Sequence, residues 1–214
     1  MHADHPPDRA ELFDRWAPTY DPALPSEDAE FPFAGYAGVL DTVVRLASAG
    51  PGMSVLDLGA GTGNLTARFS ALDCRTWAVD FSAEMLARTR MNVPTATLVQ
   101  CDIRCQWPPT LAGPFDRLVS AYLFHEFDLA AKMDLVQAIA RDRLAQGGRI
   151  VIGDVAFVTT ADRDAARQRW SHAWDPHEHY WAADETADAC GSMALRVEFA
   201  AVSACGGVFV FEPV

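Results

Sequence analysis

Short apolar runs alternate with amphipathic stretches through the middle of the chain. The runs have the length and composition of strands, and they predict strands at 53–58, 75–80, 95–101, 115–120 and 148–154. Helical periodicity between several of them predicts helices near 63–71, 82–91 and 130–145. The run Ile150-Val151-Ile152 shows no polar alternation, as expected for a strand that is covered on both faces. Repeated β–α units of this kind predict a parallel, doubly wound sheet.

Different patterns flank this central region. Apolar residues recur at helical spacing over 8–20 and over 34–48, with a loop rich in proline and acid at 21–32 between them. After residue 154 the pattern predicts a helix at 160–174, a loop at 175–183 and a short helix at 184–191. Two last strands, 194–203 and 207–212, are separated by a glycine-containing turn and predict a hairpin. We therefore expect an α/β fold with a doubly wound, mostly parallel seven-stranded sheet and an antiparallel C-terminal hairpin.

Composition narrows the choice of partners. The 214 residues carry a formal net charge of −12, and Lys132 is the only lysine. This charge opposes binding to nucleic acid, because affinity for a polyanion rests on Lys and Arg, so a small-molecule substrate is favoured. No apolar run approaches the roughly 20 residues of a membrane-spanning helix, and residues 1–8 lack the features of a signal peptide. We expect a cytoplasmic protein without membrane contact, either a monomer or a homodimer.

A glycine-rich turn follows the first central strand. It runs from Asp57 to Gly63 in the pattern D-x-G-x-G-x-G, and its glycines allow a ligand to approach the main chain closely. By themselves the glycines fit a dinucleotide or another nucleoside ligand. The dinucleotide pattern G-x-G-x-x-G, however, requires a third glycine where this chain has Asn64. The carboxylate of Asp57 also suits a cationic ligand better than a phosphate.

Further motifs follow this turn in order. Asp80 ends the second central strand, Asp102 ends the third, and the segment 115–127 looks like a fourth strand with its following turn. The segment 144–150 looks like the turn into the fifth strand. Together these motifs resemble the class I S-adenosylmethionine (SAM)-dependent methyltransferases over most of the chain. The resemblance implies a Rossmann-like methyltransferase fold, SAM as the methyl donor and S-adenosylhomocysteine as the product.

The resemblance also implies the contacts of the cofactor. Asp57 is expected near the methionine ammonium group of SAM, and Asp80 at both ribose hydroxyls, since one carboxylate can accept from a vicinal diol. Asp102 is expected near the adenine amino group, and Ala121 is expected to contribute only its backbone. Helix capping by Asp57 and solvated surface roles for the other two acids are the alternatives. The full expected set is Asp57, Gly59, Ala60, Gly61, Gly63, Asp80, Phe81, Met85, Asp102, Ile103 and Ala121.

A second resemblance concerns the N-terminus. Residues 13–21 resemble the F-D-x-x-A-x-x-Y-D helix of a bacterial subgroup of small-molecule methyltransferases, in which this helix tends to lie over the cofactor as a lid. The subgroup implies that Tyr20 faces the sulfonium or the acceptor, and packing of Tyr20 against the core is the alternative. We accordingly divide the chain into a leader with lid helices at 1–50 and a SAM-binding core at 51–214. A segment at about 159–192 is expected to cover the substrate.

Four side chains are candidates to position or deprotonate an acceptor: Tyr20, His125, Asp154 and His179. His125 and Asp154 follow or end adjacent strands at the carboxyl edge of the sheet, where ligands collect in such folds. The ordinary pKa of histidine also lies close to working pH, which suits a proton acceptor. A structural histidine bonded to backbone is an equal alternative for His125. The loop 170–181, with three tryptophans and three histidines, predicts an aromatic wall over the acceptor or a structural flap.

No metal site is expected from the sequence. His177 and His179 lack the spacing that places two ligands on one helical face, and Ser120-Ala121-Tyr122 offers no carboxylate for Mg²⁺. Methyl transfer from a sulfonium is an in-line displacement that requires alignment and exclusion of water. We therefore expect transfer of a methyl group to an O or N nucleophile of a small molecule. A non-catalytic SAM-binding regulator or subunit is the main alternative, and a nucleotide-dependent oxidoreductase is disfavoured by Asn64.

Overall fold

The computed structural model describes residues 31–105 and 107–214. Eight strands are present in this part of the chain: β1 (Ser54–Leu58), β2 (Arg75–Asp80), β3 (Thr97–Gln100), β4 (Phe115–Ala121), β5 (Leu144–Phe157), β6 (Trp181–Ala182), β7 (Leu195–Ala201) and β8 (Gly206–Pro213). The α-helices are α1 (Tyr36–Ala47), α2 (Asn64–Ser70), α3 (Ala83–Asn92), α4 (Leu129–Asp142), α5 (Thr160–Arg169) and α6 (Ala183–Cys190). Short 3-10 turns lie at Pro109–Leu111 and Phe124–Glu126.

One sheet organises these elements. Seven strands run in the order β3-β2-β1-β4-β5-β8-β7, and β6 pairs with the end of β5 beside this path. The first five strands are mutually parallel, whereas β8 is antiparallel to both β5 and β7. This confirms the mostly parallel sheet with an antiparallel hairpin that the sequence predicts. The strand order reverses between β1 and β4, so the carboxyl ends of these two strands flank the crevice in which ligands bind in such sheets.

Neighbouring residues of a central strand belong to two different hydrophobic cores, because successive side chains point to opposite faces of the sheet. Leu56 of β1 and Leu118 of β4 belong to the core under α4, while the neighbouring Val55 and Val119 belong to the core under α1 and α2. The central strands are therefore buried on both faces, which explains their unbroken apolar runs. Local capping fixes the helix starts: the side chains of Ser82 and Asp128 accept backbone N–H groups at the starts of α3 and α4.

The second of the predicted N-terminal helices is α1. It lies on the sheet, where Val39, Leu40 and Val43 are buried. It packs directly over β5, since a Cβ atom built on Gly153 would come within 2.6 Å of Val39. The division of the chain at residue 50 stays a prediction. The predicted helix at 8–20 lies outside the described residues.

The region after β5 differs from expectation in two places. Helix α5 ends at Arg169 instead of residue 174, and the predicted loop at 175–183 contains strand β6. Trp181 of β6 pairs with Ala156 of β5 and is fully buried. This tryptophan fills the main core and does not belong to an exposed aromatic wall. In the described residues, no helix is long and apolar enough to cross a membrane.

Candidate active site

The glycine turn joins β1 to α2 at the reversal point of the sheet. Gly59, Gly61 and Gly63 all have positive φ angles, of 67°, 55° and 90°, which are unfavourable for other residues. A Cβ atom on Gly59 would come 2.7 Å from Cδ2 of Leu123, whereas Gly61 has open space beside it. Gly63 has a different role, because a Cβ atom there would come 2.8 Å from Thr89 on α3. Gly59 and Gly61 thus border the crevice, and Gly63 permits close packing of α2 on α3.

Two adjoining pockets open on either side of this turn. They share Gly59, Gly61, Ala121 and Tyr122 in their walls, so they form one bent groove across the ends of β1 and β4. The first pocket also contains five of the expected cofactor residues, which are Asp80, Phe81, Met85, Asp102 and Ile103. The second pocket contains two more, Asp57 and Ala60. Apart from Gly63, every expected cofactor residue therefore lies on this groove.

Asp80 is fixed at the end of β2 by two backbone donors. Its Oδ2 accepts the N–H of Gly61 at 2.9 Å, and its Oδ1 accepts the N–H of Ser82 at 2.9 Å. The first bond ties the carboxylate to the glycine turn, and the second ties it to the start of α3. The side chain is almost completely buried but borders the first pocket. A carboxylate oxygen can accept more than one hydrogen bond, so a carboxylate that is held in this way is suited to bind ligand hydroxyls.

Asp57 is the most strongly perturbed acid of the groove. Burial raises its pKa to about 7, the hydrogen bond from Thr66 lowers the pKa, and the nearby charge of Asp80 raises it. The hydroxyl of Thr66 donates to Oδ2 of Asp57 at 2.6 Å. Because burial without a cationic partner disfavours the charged carboxylate, Asp57 is a favourable site for a ligand cation.

Asp102 borders the same pocket but is held by another residue. Arg104 donates through Nε and Nη2 to its two carboxylate oxygens, with the shortest bond at 2.6 Å. The hydrogen bonds from Arg104 lower the pKa of Asp102, against the opposing effect of partial burial. The carboxylate is therefore ionised and oriented, although its strongest partner is a side chain of the same loop.

His125 and Asp154 are brought into direct contact. Nδ1 of His125 lies 2.6 Å from Oδ1 of Asp154, and the backbone N–H of His125 donates to Oδ2 at 2.9 Å. Burial lowers the pKa of the imidazole, but the charge and hydrogen bond of Asp154, with Glu178 and Glu126 nearby, raise it to about 9. The imidazole is therefore bonded to a fully buried carboxylate. The alternative role of His125, a structural histidine bonded to the backbone, would depend on this carboxylate instead.

A flap formed by residues 175–182 crosses over this pair. The N–H of His179 donates to the carbonyl of His125 at 2.7 Å, and the ammonium of Lys132 donates to the carbonyl of His179. The indole N–H of Trp181 lies 3.3 Å from Oδ2 of Asp154. The imidazole of His179 itself is exposed, so this residue reaches the site through its main chain.

Aromatic side chains cluster beside the flap. Phe31 stacks on Trp170 and on Trp174, with ring centroids 5.1 Å and 5.4 Å apart, and meets Tyr180 edge to face. This aromatic cluster includes Phe31 from the N-terminal side and lacks Trp181, and its role as a wall over the acceptor stays a prediction. Tyr20 lies outside the described residues.

Several residues of the site were not anticipated from the sequence. Tyr122, Leu123, Glu126 and Phe127 line the first pocket, and all follow the end of β4. Their position in the sequence could have indicated this, because residues that follow a strand beside the reversal point of the sheet face the crevice. Lys132 was noted only as the single lysine. Lys132 is 2% exposed, and its Nζ lies 4.4 Å from the ring centroid of Trp181. Burial lowers the pKa of the ammonium to about 8, against the charges of Asp154 and Glu185, which raise the pKa.

The sheet and the glycine turn identify the class of protein. The sheet has a seven-strand path in which β8 is antiparallel to its neighbours, and Asp80 ends the strand that follows the glycine turn. These are the features of a class I methyltransferase. Comparison with known proteins agrees. A family described as "Methyltransferase domain" matches residues 55–148. An uncharacterised methyltransferase of Geobacillus kaustophilus is 31% identical over 209 residues, which cover 94% of this chain and 93% of the relative. The chain belongs to this methyltransferase family, whose methyl donor is SAM.

Solved structures show the same fold. A complex described as DhpI with SAM and HEP superimposes with a TM-score of 0.73 at 19% identity, covering 99% of this chain and 100% of that one. The N-methyltransferase NodS of Bradyrhizobium japonicum, in complex with S-adenosylhomocysteine, gives a TM-score of 0.67 at 20% identity, with 96% and 99% coverage. At this identity the likeness establishes the fold.

Proposed function

We propose that this methyltransferase transfers the methyl group of SAM to an O or N nucleophile of a small molecule. The observation that carries the proposal is the groove across the ends of β1 and β4, which has the buried acid Asp57 in one pocket and the buried acid Asp80 in the other. SAM has a cationic amino-acid end and a neutral nucleoside end, and Asp57 is the acid that suits the cation. When bound, SAM supplies an electrophilic methyl group to the acceptor.

The donor end of the groove has a residue for each part of SAM. Asp57 in the second pocket would hold the methionine ammonium, because its buried carboxylate accepts from the hydroxyl and the backbone N–H of Thr66, which are both uncharged donors. Asp80 would hold the ribose hydroxyls with its carboxylate, which the N–H groups of Gly61 and Ser82 fix at the edge of the first pocket. Phe81, Met85 and Ile103 would pack on the adenine ring, and Asp102 would lie near its amino group.

The acceptor end is formed by His125, Asp154 and the flap. Asp154 holds Nδ1 of His125, which leaves Nε2 as the atom that can meet a ligand. The imidazole would orient the acceptor, and the backbone of His179 would keep the imidazole in place. The aromatic cluster around Phe31 would restrict water and bind apolar parts of the acceptor. Tyr20 stays a candidate for contact with the acceptor.

A small molecule is favoured over a nucleic acid by the net charge of −12. The acid groups at the acceptor end, Glu126 and Glu178, add to that effect because they face the imidazole. Structural neighbours include NodS, which is named an N-methyltransferase, and a protein named for methylation of magnesium protoporphyrin IX. The fold alone therefore does not select the acceptor.

Calorimetry with SAM and S-adenosylhomocysteine tests the donor site. We expect Asp80→Ala to weaken binding at least tenfold, because charge-assisted hydrogen bonds contribute about 1.5–3 kcal/mol each. Asp188→Ala, which removes an exposed acid from α6, is the matched control and should bind like the wild type. Equal affinity of the two variants for SAM would refute the assignment of Asp80 to ribose.

Turnover separates an enzyme from a SAM-binding regulator. The full chain would be incubated with methyl-labelled SAM and a panel of small molecules that carry hydroxyl or amine groups, and labelled products would be identified by mass spectrometry. Labelled product that requires His125 would support the proposal, with His125→Asn binding SAM normally but transferring slowly. Tight SAM binding without product from any panel member would favour the regulator, and binding of NAD(P) instead of SAM would favour an oxidoreductase.

A further inference from the structure

Three potential metal ligands converge beside the groove. One ligand atom from each of His125, Glu126 and Glu178 lies within 4.8 Å of the other two, and Nε2 of His125 is 3.8 Å from Oε1 of Glu178. Among the residues that the structure describes, this group has the composition of a transition-metal site. Ligand atoms around such an ion are about 3–3.6 Å apart when the bonds are near 2.1 Å, so small side-chain rotations would close the cluster.

The imidazole is already oriented for coordination. Asp154 is completely buried and takes the Nδ1 side of the ring, so that Nε2 faces Glu178. Histidines that bind metals almost always donate their other ring N–H to a carboxylate or carbonyl in this way. Asp154 is in turn held by the N–H groups of Val155 and His125, so the ring has a rigid support.

The charged side chains around His125 are compatible with a divalent cation on its Nε2 side. Asp154 faces Lys132, whose ammonium lies under the flap, and Arg163 on α5 is paired with Glu185 on α6. These groups balance one another behind the histidine. Glu126 and Glu178 act on the imidazole from nearby, with Glu178 on the Nε2 side, and two carboxylates with one imidazole are donor types that suit Mn²⁺, Fe²⁺ or Zn²⁺.

We propose that His125, Glu126 and Glu178 bind one divalent transition-metal ion at the junction of the cofactor groove and the flap. Three protein ligands leave coordination positions open, as in catalytic metal sites. Glu126 also lines the first pocket, so an ion held by it faces the groove. In a role that rests on the proposed function, the ion would bind the acceptor oxygen or nitrogen and hold it in place for transfer.

No sequence pattern indicates this site, for two reasons. His125 and Glu126 are neighbours in a 3-10 turn, while Glu178 comes from a flap about fifty residues later, so no spacing pattern connects them. The expectation of no metal rested on the spacing of His177 and His179 and on the absence of a carboxylate at 120–122. Neither of these two histidine side chains belongs to the cluster.

Titration of the full chain with MnCl2 or ZnCl2 tests the proposal. The protein is purified without a polyhistidine tag, treated with a chelator and followed by calorimetry, and for Mn²⁺ also by electron paramagnetic resonance. We expect one ion per chain in the wild type and at least tenfold weaker binding in Glu178→Gln. Glu198→Gln, which removes an exposed acid from β7, is the matched control and should bind like the wild type.

A second variant separates a site from loose surface binding. Asp154→Asn keeps all three ligands but presents an amide N–H to Nδ1, which favours the proton on Nε2 and blocks coordination there. We expect 10- to 100-fold weaker binding, as for other supporting residues of metal sites. No binding by the wild type at millimolar metal, or equal affinity in the Glu178→Gln and Glu198→Gln variants, would overturn the proposal.

The same samples distinguish this inference from the proposed function. Stoichiometric metal binding without methyl transfer to any acceptor would leave the metal site standing and contradict the proposed enzyme activity. Methyl transfer that is unchanged after chelation, in a protein that binds no metal, would remove the metal site and leave the methyltransferase proposal intact.

Discussion

Ionisation of Asp57 should make SAM affinity depend on pH. The carboxylate is 2% exposed, and burial, opposed by the Thr66 hydrogen bond and reinforced by Asp80, raises its pKa to about 7. If the ammonium of SAM requires the ionised carboxylate, about a tenth of the protein is competent at pH 6 and about nine tenths at pH 8. The association constant should therefore rise about tenfold over this range, which is about 1.4 kcal/mol.

The stability of the unliganded protein should change in the opposite direction. A carboxyl whose folded pKa is raised from 3.8 to about 7 binds more protons in the folded chain than in the unfolded chain between these values. The contribution of Asp57 to stability is therefore present at low pH and is lost as the pH rises from about 4 through 7. Between pH 6 and pH 8 this single group should lower the free energy of unfolding by about 1.4 kcal/mol, and SAM should restore it.

Both trends can be measured against one control. Calorimetry of SAM binding and urea unfolding at pH 6, 7 and 8 would be run on the wild type and on Asp57→Asn, which keeps an oxygen for Thr66 but does not titrate. The ionisation of SAM itself affects both proteins equally, so the difference between them isolates Asp57. Parallel pH profiles for the two proteins would refute the reasoning.

Three other variants probe the same framework. Asp102→Asn should weaken SAM binding less than Asp80→Asn in calorimetry, because Arg104 already engages Asp102; a larger effect at Asp102 would contradict this order. Gly59→Ala should lower stability by about 1 kcal/mol or more in urea unfolding and reduce SAM binding, since the positive φ and Leu123 leave no place for a methyl group, whereas Gly52→Ala meets no neighbour and should retain binding. Lys132→Met should cost about 1–3 kcal/mol and raise protease cleavage within 175–182, because the His179 carbonyl loses its donor; unchanged cleavage would show that the flap does not depend on Lys132.

The donor side of this protein is encoded locally, which is why its sequence is informative. Asp57, the three glycines and the start of α2 are consecutive, and Asp80 ends a strand whose apolar run is unambiguous. Periodicity and turn chemistry therefore sufficed to predict the parallel sheet and the glycine turn. The set of cofactor residues came from the resemblance to class I methyltransferases, and all of them except Gly63 lie on the groove, because Gly63 serves helix packing against Thr89. The roles of these residues toward SAM remain predictions.

The acceptor side could not be predicted in the same way. Its contacts join residues far apart in the chain, such as Lys132 with the carbonyl of His179 and Trp181 with Asp154. The periodicity of apolar residues cannot predict that a buried lysine donates to a backbone carbonyl. The two-residue strand β6 was also too short for any pattern, and its pairing with the end of β5 is what carries Trp181 into the core.

The turn after β4 connects the two sides. Tyr122 adopts a left-handed conformation with φ of 54°, and this change of direction separates the residues that follow it. Tyr122, Leu123 and Glu126 line the cofactor pocket, while His125 turns toward Asp154 and the flap. Leu123 is close in the chain both to the groove and to His125. Variants at Leu123 should therefore alter SAM affinity and acceptor turnover together.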